Sequence, residues 1–185
     1  MDFVEKIKAH EAAVAQLREA LVPTIQQMAE ICREAICAGH KIMLCGNGGS
    51  AADSQHIAAE FVGHFSKVRR GLPSIALTTD TSILTAVGND DGYEEVFRRQ
   101  VEALAQPGDV LIGISTSGNS VNVVKAFEQA KQQGVHVLAF TGSMESKMSA
   151  LADVTLFIPS TVTARIQECH ILVGHLICDY IDEDY

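Results

Sequence analysis

The 185 residues carry a formal charge of −9, from 14 Lys and Arg against 23 Asp and Glu, and 47% of them are hydrophobic. Such a composition suits a globular chain with a sizeable core, not a disordered one. No apolar run approaches the ~20 residues that cross a bilayer, residues 1–16 lack the apolar stretch of a secretory leader, and the acidic balance argues against nucleic-acid binding through bulk charge.

Residues 2–38 read as helical, with Phe3, Ile7, Val14, Leu17 and Leu21 at roughly helical spacing. Pro23 breaks that run and suits the first turn of a second helix through Ile25, Met28, Cys32 and Ile36, which Gly39 ends. From residue 41, short apolar runs (41–45, 74–78, 109–115, 135–142 and 154–159) alternate with helical patterns at 50–65, 93–104, 120–133 and 163–183. Near-continuous apolar strands are buried on both faces, as in parallel sheets. The alternation therefore predicts a three-layer α/β sandwich around a five-stranded parallel sheet. One domain is expected over 1–185, with 1–39 a helical extension of an α/β core over 40–185. An apolar-striped extension of that length commonly buries itself against another subunit, so an oligomer is expected. The five cysteines, Cys32, Cys37, Cys45, Cys169 and Cys178, are odd in number and form no C-x-x-C. They read as reduced, mostly buried thiols of a cytoplasmic protein, and not as a cysteine-rich zinc site.

In such a sheet, ligands bind beyond the carboxyl ends of the strands. Beyond the first strand comes Gly46-Asn47-Gly48-Gly49-Ser50-Ala51-Ala52-Asp53. Its glycines allow close backbone approach, Ser50 and Asp53 are spaced as a capping pair, and the next helix offers free N–H groups to an anion. The same residues satisfy G-x-G-x-x-A, but a dinucleotide site wants an acid about 20 positions on, and Asp80 lies 30 beyond Ser50. A tight structural turn is the plain alternative.

Beyond the third strand, Ser115-Thr116-Ser117-Gly118-Asn119-Ser120 sets four hydroxyls ahead of a helix. Hydroxyls and N–H groups can surround a phosphate without a basic residue, which suits an acidic protein that holds a phosphomonoester. There is no G-K-[ST], so this is not a nucleotide P-loop. Serine-rich loops also start many helices as caps alone, but two such loops at one sheet edge favour phosphate binding.

His56 and Glu60, four apart, share a helix face. Gln167 and His175, eight apart, lie about 80° apart around the last helix, with His170 between them and Asp179 one turn on. Spacing alone leaves three readings open: metal ligands, an acid and a base, or ordinary surface pairs. Asp90, taken to follow a short helix after the second strand, could orient a hydroxyl or cap a turn. Glu168, His170, His10, His40 and His136 read as surface residues, and Asp182-Glu183-Asp184 as a solvated tail.

CGNGGSAADSQHIAAEF, LTTD, GND, GISTSGNS and ARIQECHILVGH together resemble the sugar isomerase (SIS) domain family, and within it the branch acting on heptose phosphates. The resemblance spans almost the whole chain. It implies a flavodoxin-like sandwich assembled as a homotetramer with active sites at subunit interfaces. The implied reaction converts the ketose sedoheptulose 7-phosphate to the aldose D-glycero-D-manno-heptose 7-phosphate, which feeds ADP-heptose and lipopolysaccharide synthesis. It further implies a phosphate cradle of Ser50, Ser115, Thr116, Ser117 and Ser120, and sugar contacts at Asn47, Gly48, Asp90 and Gln167. Glu60 and His175 match the catalytic base and acid, and His56, Glu60, Gln167 and His175 the zinc ligands of some members. One position departs. Relatives usually carry Arg four residues after that Glu, where this chain has His64; Arg69 and Arg70 are the nearby cations that could replace it.

Two other function classes stay in view. A non-catalytic relative binding a protein partner, such as a replication initiator, would lack parts of the acid–base set, whereas Glu60, Gln167 and His175 are all present. The other is an isomerase of a different sugar phosphate.

Overall fold

The computed structural model describes residues 2–185. Helix α1 (Phe3–Ala20) opens on Asp2, whose carboxylate accepts the N–H groups of Val4 and Glu5. Helix α2 (Val22–Cys37) follows after Leu21, with Pro23 in its first turn, where a missing N–H costs nothing. Strands β1 (Ile42–Gly46), β2 (Ser74–Ala76), β3 (Val110–Ile114), β4 (His136–Thr141) and β5 (Val154–Phe157) form one parallel sheet in the order β2-β1-β3-β4-β5. Helices α3 (Gly49–Val62), α4 (Thr81–Asp90), α5 (Val96–Leu104), α6 (Val121–Gln132) and α7 (Lys147–Leu151) connect the strands, and α8 (Thr163–Asp182) closes the chain. The five-stranded parallel α/β sandwich with its N-terminal helical pair is the expected architecture.

The two faces of the sheet explain why the strands read as unbroken apolar runs. Ile42, Leu44, Val110, Ile112, Leu138 and Phe140 pack on one side with buried residues of α1, α2, α3 and α8. Met43, Leu111, Val137 and Ala139 pack on the other with Val101, Val123 and Phe127 of α5 and α6. Side chains alternate between faces with period two, and both faces are covered. Helix α8 lies close against α3: a Cβ on Gly174 would overlap the Ile57 side chain, so any other residue there would force Ile57 to move.

Several boundaries differ from expectation. Four strands lose one or two residues at their ends, where the chain turns into loops, and β1 shifts by one residue to Ile42–Gly46. The 93–104 helix splits into a 3-10 turn, Tyr93–Glu95, and α5. Asn89 and Asp90 end α4 and do not follow it. Helix α7 was not anticipated; Ser146 and Ser149 begin it with a reciprocal capping box. Among the described residues, no helix is long and apolar enough to cross a membrane.

From β1 the chain moves outward to β2, then crosses back to β3 on the other side of β1. That reversal lies between β1 and β3, where sheets of this order leave a crevice beyond the strand ends. The loops singled out in the sequence follow these two strands.

Candidate active site

The turn after β1 is held by glycine conformation. Gly48, at φ +55° and ψ −120°, occupies the cap position of α3, a backbone shape that a side chain strongly disfavours. Ser50 is therefore not the cap: it lies buried inside the first turn, and the expected pairing with Asp53 does not form. Asn47 and the buried Asn122 exchange amide hydrogen bonds of 2.9 and 2.8 Å, and Tyr93 donates its hydroxyl to Asn47 Oδ1 at 3.2 Å. This network was not legible as a unit, because its three members come from separate segments. Cys45, just before the turn, is no nucleophile: burial pushes its thiol up to about 12.

After β3, the hydroxyls converge. Ser115 Oγ lies 2.9 Å from Ser120 Oγ and 3.4 Å from Ser117 Oγ. Ser120 holds the cap position of α6 yet makes no side-chain cap bond, so its hydroxyl is turned toward Ser115. Thr116 and Ser117 line a cavity of about 260 Å³ with Ser143, Ser160, Thr161 and Thr163. Those last four hydroxyls escaped the sequence reading. They follow β4 and β5, so the strand-end rule applied to every strand would have found them.

The third group lies between α3 and α8. His56 Nε2 is 3.0 Å from Glu60 Oε1, one turn along α3. His175 Nε2 reaches across to within 3.3 Å of His56 Nε2. One donor atom from each of the three residues lies within 4.8 Å of the others. Phe65 stacks on the His175 ring at 5.2 Å between centroids. One turn before His56, Asp53 keeps a buried carboxylate oxygen without a hydrogen-bond partner. Burial holds the Asp53 pKa above the usual value, against the opposing pull of His56 and His175. Two imidazole nitrogens and a carboxylate converging on one point, with a second carboxylate behind them, make a donor set that fits a divalent transition metal such as zinc.

Gln167 lies elsewhere: its Nε2 is 2.7 Å from where a Cβ of Gly49 would sit, so it covers the start of α3. Asp90 is exposed and accepts a 2.7 Å bond from Asn89 Nδ2, with no bond to the other site residues. Glu168 sits partly exposed at the surface, as expected, bound to His10 and Arg165. Three other readings need correction. His170 is fully buried, with Nε2 donating to the Thr141 carbonyl at 3.1 Å. Asp182 is not a solvated tail residue; it is buried against Arg69. Arg69 is thereby unavailable to replace an arginine at the exposed His64, and Arg70 lies over the Tyr185 ring.

Known proteins resemble this chain in sequence and fold. The SIS domain family matches residues 4–142. A phosphoheptose isomerase of Aliarcobacter butzleri is 52% identical over 182 residues, covering 98% of this chain and 96% of the other. The solved phosphoheptose isomerase of Neisseria gonorrhoeae superposes with a TM-score of 0.90 at 47% identity, over 98% of this chain and 100% of its own. That of Francisella tularensis superposes at 0.94 with 37% identity, over 99% and 100%. The chain belongs to the SIS domain family and, within it, to the phosphoheptose isomerases.

Proposed function

We propose that this chain is the aldose–ketose isomerase that converts sedoheptulose 7-phosphate to D-glycero-D-manno-heptose 7-phosphate. The observation that carries the reading is the convergence of His56, Glu60 and His175 between α3 and α8, in a chain whose hydroxyl loop follows β3. The Ser115–Ser120 loop and the N-terminus of α6 hold the phosphate, with Ser50 and the N-terminus of α3 as a second wall. Neutral donors of this kind let a chain of charge −9 bind a dianion. Asn47, fixed by Asn122 and Tyr93, and Asp90 meet the sugar hydroxyls.

The reaction moves one carbon-bound proton and one oxygen-bound proton. The Glu60 carboxylate takes a proton from C1 of the ketose, and the electron pair forms the C1–C2 double bond of an enediol(ate). Glu60 returns the proton to C2. His175 moves the other proton between O1 and O2, leaving an aldehyde at C1. His56, Glu60 and His175 would hold a zinc ion, with Gln167 the fourth expected ligand. When bound, zinc would polarise the carbonyl and stabilise developing negative charge. A carboxylate held on a metal is a weaker base than a free one, so the two roles compete at Glu60.

The working form is a cytoplasmic homotetramer of single-domain subunits, with active sites at subunit interfaces, supplying ADP-heptose for lipopolysaccharide. An exposed apolar groove lined by Val14, Leu17, Val22, Ile25, Leu172 and Leu176 supports assembly through α1, α2 and α8. Free cysteines throughout support a reducing compartment. The deciding experiment incubates the protein with sedoheptulose 7-phosphate and follows the aldose by NMR, with a hexulose phosphate as control. Aldose formed from the heptulose is the expected result; a preference for the hexulose would overturn the assignment.

A further inference from the structure

Helices α3 and α8 carry Glu60 and His175, and at their carboxyl ends one buried ion pair joins them. The side chains of Arg69 and Asp182 are 1% and 0% exposed, and Arg69 Nε donates to Asp182 Oδ1. The rest of the guanidinium is spent on backbone. Nη2 donates to the Glu60 carbonyl at 3.1 Å, and Nη1 to the Phe61 and Arg70 carbonyls at 2.9 and 3.1 Å. Glu60 and Phe61 lie in the last turn of α3, whose carbonyls have no partners within the helix. On the other side, Asp182 Oδ2 accepts the N–H groups of Ser66 and Lys67 at 2.8 and 3.2 Å. Burial raises the Asp182 pKa, but these backbone bonds and Arg69 outweigh it and hold the group below the usual carboxylate range.

Stability alone does not account for this arrangement, since buried ion pairs are often no more stabilising than apolar residues of the same size. What the pair does is geometric. Arg69 grips the backbone of Glu60 itself. Asp182 grips Ser66, the neighbour of Phe65, whose ring stacks on His175. Both members of the proposed acid–base pair are thus held by one charge pair that touches neither functional group.

We infer that Arg69 is a positioning residue for the isomerisation: with Asp182 it sets the Glu60 backbone and the Phe65 ring against His175. The inference rests on the roles proposed above for Glu60 and His175. A lysine would keep the charge opposite Asp182, but a single ammonium cannot span an aspartate and two helix carbonyls as a planar fork does.

The test compares wild type, R69K, E60Q and R70A in sedoheptulose 7-phosphate isomerisation, below the thermal transition of each. R69K should lose about ten- to a hundredfold in kcat, the scale of a small misplacement of reacting groups. Its KM should stay within about twofold, since the phosphate loop is not part of this contact. R70A, altering an exposed neighbour, should keep the wild-type kcat, and E60Q should be nearly inactive. Wild-type kcat in R69K with E60Q inactive would overturn the positioning role and leave the base assignment standing. Full activity in E60Q would overturn that assignment and the positioning role with it. A KM rise in R69K with unchanged kcat, or a lower melting temperature alone, also refutes the inference. If R69K does not fold, D182N, which keeps an acceptor for Ser66 and Lys67, is judged by the same split.

Discussion

Ser120 offers a direct trial of the phosphate cradle, because its position and its hydroxyl have been uncoupled. It stands at the cap of α6 but makes no cap bond; its Oγ instead lies 2.9 Å from that of Ser115. At an ordinary serine cap, substitution by alanine costs about 1 kcal/mol of stability. Here no cap bond exists to lose, only the contact with Ser115, and S120A should cost about 0.5–1.5 kcal/mol of stability. A hydrogen bond to a charged group is worth about 1.5–3 kcal/mol. With each 1.4 kcal/mol a factor of ten, the KM for sedoheptulose 7-phosphate should rise about 10- to 150-fold. The phosphate does not change charge as a proton moves between C1 and C2, so the lost contact is equal in ground and transition states and kcat should hold. Inorganic phosphate as a competitive inhibitor should weaken by the same factor. Initial rates, phosphate inhibition and a thermal melt together decide it. An unchanged KM with a lowered melting temperature would mean that Ser120 serves the helix and not the ligand.

Three further outcomes are expected. Protein purified without added metal should carry a divalent ion at the His56–Glu60–His175 cluster; chelation should lower kcat and zinc restore it, whereas full activity at zero metal content would remove zinc from the mechanism. His170 should make the fold acid-sensitive: burial depresses its pKa from 6.5 to about 4, Nε2 donates to Thr141, and Nδ1 has no partner to receive a second proton. The unfolded chain takes up that proton first, so this contribution is complete above pH 6.5 and declines as pH falls toward 4; about 2 kcal/mol should be lost between pH 7.5 and 5. Urea midpoints of wild type and H170L at the two pH values check it, and equal slopes for both would refute it. L176E, in the apolar groove, should reduce the mass seen by light scattering while leaving the circular dichroism of the subunit intact; an unchanged mass would exclude that groove as an assembly surface.

How much of this was legible depended on how local each signal was. Strands such as Ile42–Leu44 and Leu111–Ile112 announced themselves because both faces of the sheet are covered, which leaves no polar side to interrupt the run. The Gly48 turn and the Ser115–Ser120 loop were legible because their chemistry is contiguous. Burial of a polar residue was not. Asp182 looked like part of an acidic tail, and its partner Arg69 lies 113 positions away. His170 looked like its neighbours on the helix until the sheet edge closed over it at Thr141. Helix α7 spans five residues, too few for a period to show, and only its Ser146–Ser149 box marked it. The His56–Glu60 pair was readable as one helix face, but its meeting with His175, 119 residues on, required Gly174 to let α8 approach α3.

That approach also bears on which sugar fits. On the proposed reading, the ester end of the substrate would be held by loops that follow β1 and β3, strands buried at the centre of the sheet. The carbonyl end would be met between α3 and α8, which approach closely at Gly174 and are joined by Arg69 and Asp182 at their ends. With each end held on a rigid element, the span between them across the proposed subunit interface would act as a ruler. A ligand anchored by its phosphate but one carbon short brings its carbonyl to the wrong place, and misplacing reacting atoms by about 1 Å can cost a hundredfold in rate. Chain-length selectivity should therefore appear in kcat more than in phosphate affinity, because the anchor is common to all sugar phosphates and the reach is not.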